Sequence, residues 1–276
     1  MKRGAALYCT VFLVVLVGLV GLADDRIAHD AIEITHESEF NVLNGVCSGS
    51  GTAEDPFVIE NWVIDAGYDE YGIRVHGTSA HVVIRNVEVS GASKSAIYLS
   101  YVENAVIEDC LLEGNWAGVT INFSSYNRVQ GCAFESNTDA IRFYFSHTNL
   151  IRTSTFSRND TAIWFDASNE NAIQSNLIED SHMGLYLNLG SEANTITGNA
   201  FVDNVHNAHT DDPNIWDNGE SGNYWSDCVA VDMDGNLIWD VPYLITSDGD
   251  QDNYPLVTHP LVPQDASLTC DDVYTP

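Results

Sequence analysis

Residues 127–165 read NRVQGCAFESNTDAIRFYFSHTNLIRTSTFSRNDTAIWF, one pattern written twice at a spacing of 22 residues. Asn127 and Asn149 each stand two places before a branched aliphatic residue, Val129 and Ile151. Phe134 and Phe156 come five residues later. Ile141 and Ile163 follow, each with a Phe two places on, Phe143 and Phe165. Within each copy apolar and polar residues alternate, the periodicity of a half-buried strand. Asn, Ser, Gly and Asp fill the gaps, which is turn chemistry.

The pattern extends in both directions. Ile59, Ile84, Ile107, Val129, Ile151, Ile173 and Ile196 recur at steps of 22 to 25 residues. Ile64, Val89, Leu112, Phe134, Phe156, Ile178 and Phe201 form a second file, five residues after the first. Ile73, Ile97, Val119, Ile141, Ile163 and Leu185 form a third, each preceded by Gly or Ala. A fixed period of this length with short strands denotes a solenoid whose rungs bury their apolar faces only against neighbours. Two or three strands in about 22 residues describe one rung of a parallel β-helix. The Leu and Asn scaffold of a leucine-rich repeat is absent. About seven rungs are expected over residues 51–212, with a cap over 24–50, a closing segment over 213–262 and a tail over 263–276.

Equivalent residues then lie about 4.8 Å apart along the rod. Asn127, Asn149, Asn171 and Asn194 form a ladder whose amides can bond along the axis. Cys110 and Cys132 share one position in adjacent rungs, and two buried thiols are expected there rather than a disulfide. Cys47, Cys228 and Cys270 complete an odd count of five after the leader, and no CxxC is present. A zinc ribbon or a redox motif is therefore unsupported.

The N-terminus, MKRGAALYCTVFLVVLVGLVGLADD, has a basic start, an apolar run and small residues at Gly21 and Ala23. It reads as a signal peptide over 1–23, with retention as an anchor the alternative. Export to a periplasmic, cell-surface or secreted location follows, with no membrane span after signal removal. Loss of Lys2 and Arg3 deepens the formal charge from −30 to −32. Such an acidic surface repels phosphate backbones and excludes nucleic acid as a partner.

The segment DNGESGNYWSD, residues 217–227, breaks the repeat. A solenoid end exposes unpaired backbone and must be covered. Trp216, Tyr224 and Trp225 are expected to cover the last rung, with Asn214, Asn218 and Asn223 pairing orphan backbone groups and Gly219 and Gly222 allowing tight turns.

Several of these stretches resemble a known family. The rungs NAVIEDCLLEGNWAGVTI (104–121) and NAIQSNLIEDSHMGLYL (171–187) resemble right-handed β-helix repeats of the NosD-like, carbohydrate-binding and sugar-hydrolase-type group. The lead-in GSGTAEDPFVIENWVIDA (49–66) resembles the N-terminal signature of exported members. DNGESGNYWSD, with DMDGNLIWDVPY (232–243) and DNYPL (252–256), resembles their C-terminal signature. The similarity covers about residues 28–260 and implies a right-handed single-stranded parallel β-helix and export. It implies no one activity. The name comes from a periplasmic accessory protein for copper-enzyme maturation, yet copper favours His with Met or Cys, and only Met183 and Met233 lie beyond the leader. Copper is not expected here. His206 and His209 near Asp211 are expected to form a solvated turn, with a metal held there the alternative.

Asp232, Asp234, Asn236 and Asp240 stand at positions 1, 3, 5 and 9 of a calcium-loop pattern, with the Ile238 carbonyl at 7. Leu237 replaces the expected Gly at position 6 and Tyr243 the Glu at position 12. Asp248, Asp250 and Asp252 would complete such a calcium site across the loop.

Alternation also names an outward column, Arg74, Tyr98, Thr120, Arg142, Trp164, Tyr186 and His209, and beside it His76, Ser100, Asn122, Tyr144, Asp166, Asn188 and Asp211. Tyr98, Arg142, Tyr144, Trp164, Asp166, Tyr186 and Asn188 would share one flat face. Aromatic planes among polar groups suit the apolar faces and hydroxyls of a linear polysaccharide or cell-envelope glycan. The expected role is a binding or scaffold module for extracytoplasmic carbohydrate. A polysaccharide lyase or glycoside hydrolase, with Arg142, Asp166, His209 and Asp211 as candidate catalytic residues, is the first alternative. An accessory factor in metalloenzyme maturation is the second.

Overall fold

A computed structural model describes residues 26–245 and 249–261. The leader over 1–23, Asp248, Cys270 and the tail over 263–276 lie outside the described residues. The chain winds as a parallel β-solenoid of about eight turns. Three sheets of nine, eight and eight strands form its faces. On the first face Ala105–Glu108, Arg128–Gln130 and Leu150–Arg152 lie in parallel register, with Ile107 paired to Val129 and Val129 to Ile151. Leu112, Phe134 and Phe156 pair likewise on the second face, and Val119, Ile141 and Ile163 on the third. The turn beyond the expected seven is supplied by the lead-in. Ile27–Ala28 pairs with the second face and Ile32–Ile34 with the third, while Val46–Ser48 runs antiparallel against the first.

All three files point inward and are fully buried. Phe134 stacks on Phe156 at 4.8 Å and Phe143 on Phe165 at 4.4 Å, nearly coplanar in both cases. The small residues ahead of the third file have a steric cause. A Cβ on Gly118 would stand 2.6 Å from the Ala140 carbonyl oxygen and 2.7 Å from the Phe134 ring. At Gly184 it would meet the Asn207 carbonyl at 2.4 Å. Thus the next rung's carbonyl, together with the ring of the second file, leaves no room for a side chain at these corners.

The turns are held by ladders. The backbone N–H of Asn127 and its side-chain amide both donate to Asn149 Oδ1, at 2.9 and 3.1 Å. Asn149 does the same to Asn171, Asn171 to Asn194 and Asn194 to Asn214. A second ladder joins Asn115, Asn137 and Asn159. A third joins Asn176, Asn199 and Asn223. Each ladder satisfies buried turn backbone that no strand can reach. Cys110 and Cys132 precede the third ladder as free buried thiols, donating to Glu108 O and Gln130 O. Burial pushes the Cys110 thiol well above its usual range.

The closing segment caps the core as expected for its tryptophans. Trp225 stacks on Phe201 at 4.4 Å, and Tyr243 on Trp225 at 4.2 Å. Trp216 and Trp225 are buried. Asn214 and Asn223 terminate ladders, whereas Asn218 Oδ1 accepts from Glu220 and Ser221 and closes only its own turn. Two acids complete the lid. Asp250 Oδ2 accepts from Trp216 Nε1 and from Asn214 N. Asp252, fully buried, accepts from Trp225 Nε1 and from the Asn223 and Tyr254 amides. Gly222 is required here, since a Cβ would fall 1.8 Å from Asp252 Oδ1.

Replacing Asn149 by Ala leaves several buried donors and acceptors unpaired and should cost about 3–5 kcal/mol at one or more kcal/mol per group; urea unfolding measures it. Burial is the largest influence on Asp252 and raises its carboxyl above the usual range, against its three donors. A raised acid contributes stability that is complete below its unfolded value and lost as pH rises through the folded one. The stability of the parent relative to Asp252→Asn should therefore fall as pH rises from about 4. A difference that grows with pH contradicts this.

Candidate functional site

The third face carries the expected columns. Arg74 pairs with Tyr98, Tyr98 with Thr120, Thr120 with Arg142, Arg142 with Trp164, Trp164 with Tyr186, and Tyr186 with His209. Tyr144, Asp166 and Asn188 stack beside them. The columns exist because strand residues alternate between core and solvent and because each rung repeats the register. Trp164 meets Tyr186 at 4.9 Å, and Tyr186 meets His209 at 4.9 Å, the latter stacked. Asn122 donates to Tyr98 Oη at 3.2 Å. Thr120 and Ser100 are buried beneath their larger neighbours, so the face is not uniformly open.

Arg142 is the hub of this face. Its guanidinium lies 4.8 Å from the Trp116 ring, 5.0 Å from Tyr144 and 4.7 Å from Trp164. Arg142 Nη1 donates to Asp139 Oδ2 at 2.9 Å, in a pair 12% and 5% exposed. Its buried Nε faces no acceptor, as expected of a cation held by ring faces. Burial raises the Asp139 carboxyl, with Arg142 the main opposing influence. Burial likewise raises the Tyr144 phenol.

Asp139 and Trp116 were not among the residues named from sequence. Strict alternation back from Arg142 makes Ala140 outward and Asp139 inward. At this corner both Ala140 and Asp139 are buried, and the Asp139 carboxylate nevertheless reaches the Arg142 guanidinium. The offset of three residues between an acid and a base was the signal available.

The catalytic candidates are dispersed. Arg142 is bound to Asp139, not to Asp166. Asp166 Oδ1 accepts from Trp164 Nε1 at 2.9 Å. His209 Nε2 and Asp211 Oδ1 lie 3.1 Å apart, both about half exposed. Asp166 sits in register with Asn188, so the His209–Asp211 pair belongs two rungs further along the rod.

The acidic loop is curled upon itself. Asp232 accepts from the Gly235 and Leu237 amides, Asp240 from Met233, and Asn236 Oδ1 from Ile238. Asp234 accepts from Asn236. Asp250 and Asp252 are engaged by the lid tryptophans and do not complete a site across this loop. Among the described residues no group of three or more His, Cys, Asp and Glu side chains gathers to hold a metal ion. Met183 lies in register with His206, whose ring packs edge-on against His182 at 5.5 Å. Met233 is exposed on the acidic loop.

Removing the Arg142 side chain leaves Asp139 buried without its counter-ion. Arg142→Ala should cost about 3–5 kcal/mol and shift tryptophan emission to the red as Trp116 and Trp164 lose their shared contact. Unchanged emission and stability contradict the hub.

Comparison with known proteins places the chain. The family described as "Periplasmic copper-binding protein (NosD)" matches residues 31–230. A probable ABC transporter binding protein NosD from Pseudomonas aeruginosa is 39% identical over 70 residues, 25% of this chain and 16% of that protein. Its namesake from Stutzerimonas stutzeri is 37% identical over the same length and shares. The matched segment thus spans about a sixth of those relatives. Among solved structures, "The complex structure of XylC with xylose" aligns with a TM-score of 0.46 and 10% identity, over 67% of this chain and 36% of that one. An alginate lyase from Paenibacillus sp. str. FPU-7 aligns with a TM-score of 0.41 and 13% identity, over 71% and 97%. No activity follows from either. With the family match spanning most of its length and the solenoid in place, the chain belongs to the NosD family.

Proposed function

We propose that this protein is an exported, periplasmic or surface-held β-helix that binds an extracytoplasmic glycan along its third face. The observation that carries the reading is the in-register column Tyr98, Thr120, Arg142, Trp164 and Tyr186, flanked by Tyr144, Asp166 and Asn188. Tyr98 and, three rungs on, the adjacent Trp164 and Tyr186 offer apolar planes, and the flanking Asn188 amide, Asp166 carboxylate and Tyr144 phenol offer hydrogen bonds, the combination that sugars require. The dispersed carboxylates favour retention over cleavage, since hydrolysis requires two convergent carboxyl groups. A calcium ion at Asp232, Asp234, Asn236, Ile238 and Asp240 is part of the proposal, as a stabiliser of the closing segment that would draw these side-chain oxygens away from the loop amides they now accept from.

A second reading is supported by the family match and by the printed name of the curated relatives. The rod would then be an accessory scaffold docking on a transporter during metalloenzyme assembly.

A glycan array, run with calcium and with chelator, tests the first reading. The parent should retain at least one polysaccharide. Trp164→Ala with Tyr186→Ala should weaken retention by about tenfold or more, the worth of lost aromatic anchors, while circular dichroism stays that of the parent. Retention unaffected by the double substitution removes the proposed face. Release of reducing or unsaturated ends would establish the lyase or hydrolase instead. A melting temperature unmoved by chelator removes the calcium ion.

A further inference from the structure

The turn between the second and third faces is not the same in every rung. Ser90, Glu113, Glu135, Ser157, Glu179 and Val202 are register partners at the end of the second face. The residues that follow them are Gly91, Gly114, Ser136, Arg158, Asp180 and Asp203, all left-handed with φ between 50° and 75°. Side chains are therefore tolerated at this position in four rungs and missing in two adjacent ones. Where they are missing the surface opens into a groove of about 740 Å³. Gly67, Gly91 and Gly114 line it with Ser93, Ser136, Thr138 and Asp65. Tyr68 and Trp116 also line it, 87% and 45% exposed.

We propose that this groove is a subsite for an uncharged saccharide, distinct from the flat column of the third face; it rests on the glycan-binding reading. Trp116 supplies a ring for an apolar sugar face, and its position is fixed by the Arg142 guanidinium at 4.8 Å. Hydroxyl and backbone groups of the glycine-lined floor meet sugar hydroxyls, and Tyr68 bounds the groove. Among the described residues Asp65 is the one charged residue lining the groove, and the protein carries a formal charge of −30, so a polyuronate is repelled and a neutral chain is not. Arg142 acts here as a positioning residue behind Trp116, shared between groove and face.

The fold supplies its own blocking variant. Gly114→Arg places at this turn the residue that Arg158 already holds two rungs on, at nearly the same φ, and a Cβ at Gly114 meets nothing within 4 Å. Tyr68→Ala is a second variant that removes only a surface ring. The full exported chain and both variants are titrated with neutral oligosaccharides and with polyuronates of equal length, alongside the Trp164→Ala, Tyr186→Ala protein. The proposal expects neutral oligosaccharides to bind, with affinity lowered about tenfold or more in both groove variants and short oligosaccharides still held by the face variant. Parental affinity in a folded Gly114→Arg protein and in Tyr68→Ala overturns the groove while leaving the face intact. Preference for polyuronates overturns the assignment of an uncharged ligand. Absence of any saccharide binding overturns groove and face together.

Discussion

Each rung of this molecule borrows a side chain from the next. A buried turn amide has no strand partner, and an asparagine one rung on supplies the oxygen it needs. The acceptor must arrive at the same place every time, so the ladders step by 22 or 23 residues along the rod and change step, to 20 and 24, only where they end on Asn214 and Asn223 of the closing segment. Where an extra residue enters between Asn171 and Asn194, it is absorbed at the turn over 189–191, outside the ladder, with Gly190 at a φ of 81°. Core stacking and the outward columns are consequences of that constraint. Phe134 meets Phe156 face to face because the turns between them are pinned.

The same repetition that builds the rod also limits its chemistry. A column places like positions side by side, which suits a polymer and disperses catalytic groups. Individuality enters only where a rung departs from the rule. Arg142 gathers Trp116, Tyr144, Trp164 and Asp139 at one such place. Gly91 and Gly114 mark another, where missing side chains turn a convex corner into a groove. The closing segment is a third, with two acids latching two indoles over the last rung.

What was legible in the sequence followed periodicity. The three inward files, the columns from Arg74 to His209, the Asn127 ladder and the capping role of Trp216 and Trp225 all stand in the structure. The Asn115 ladder was overlooked because its members lie among acids and hydroxyls of shifting identity, without a constant neighbour. Asp139 was missed because the corner interrupts two-residue alternation. Asp250 and Asp252 were read as calcium ligands because acids cluster in that stretch. The lid groups they hold, Asn214, Trp216 and Trp225, lie 27 to 36 residues away, where no period relates them. Local pattern reveals repeated contacts and is silent on contacts made once.

The central claim is that successive rungs lie in register, and pulsed electron resonance between paired spin labels tests it most directly. Arg85, Glu108, Gln130, Arg152, Gln174 and Thr197 form one outward file. With Arg85→Cys labelled together with Arg152→Cys, Gln174→Cys or Thr197→Cys, in a background lacking the exposed native thiols, the distance should climb by about 4.8 Å per rung. It should reach about 24 Å for the outermost pair. Distances that fail to increase in equal steps along the file contradict the stacked rod and everything drawn from it.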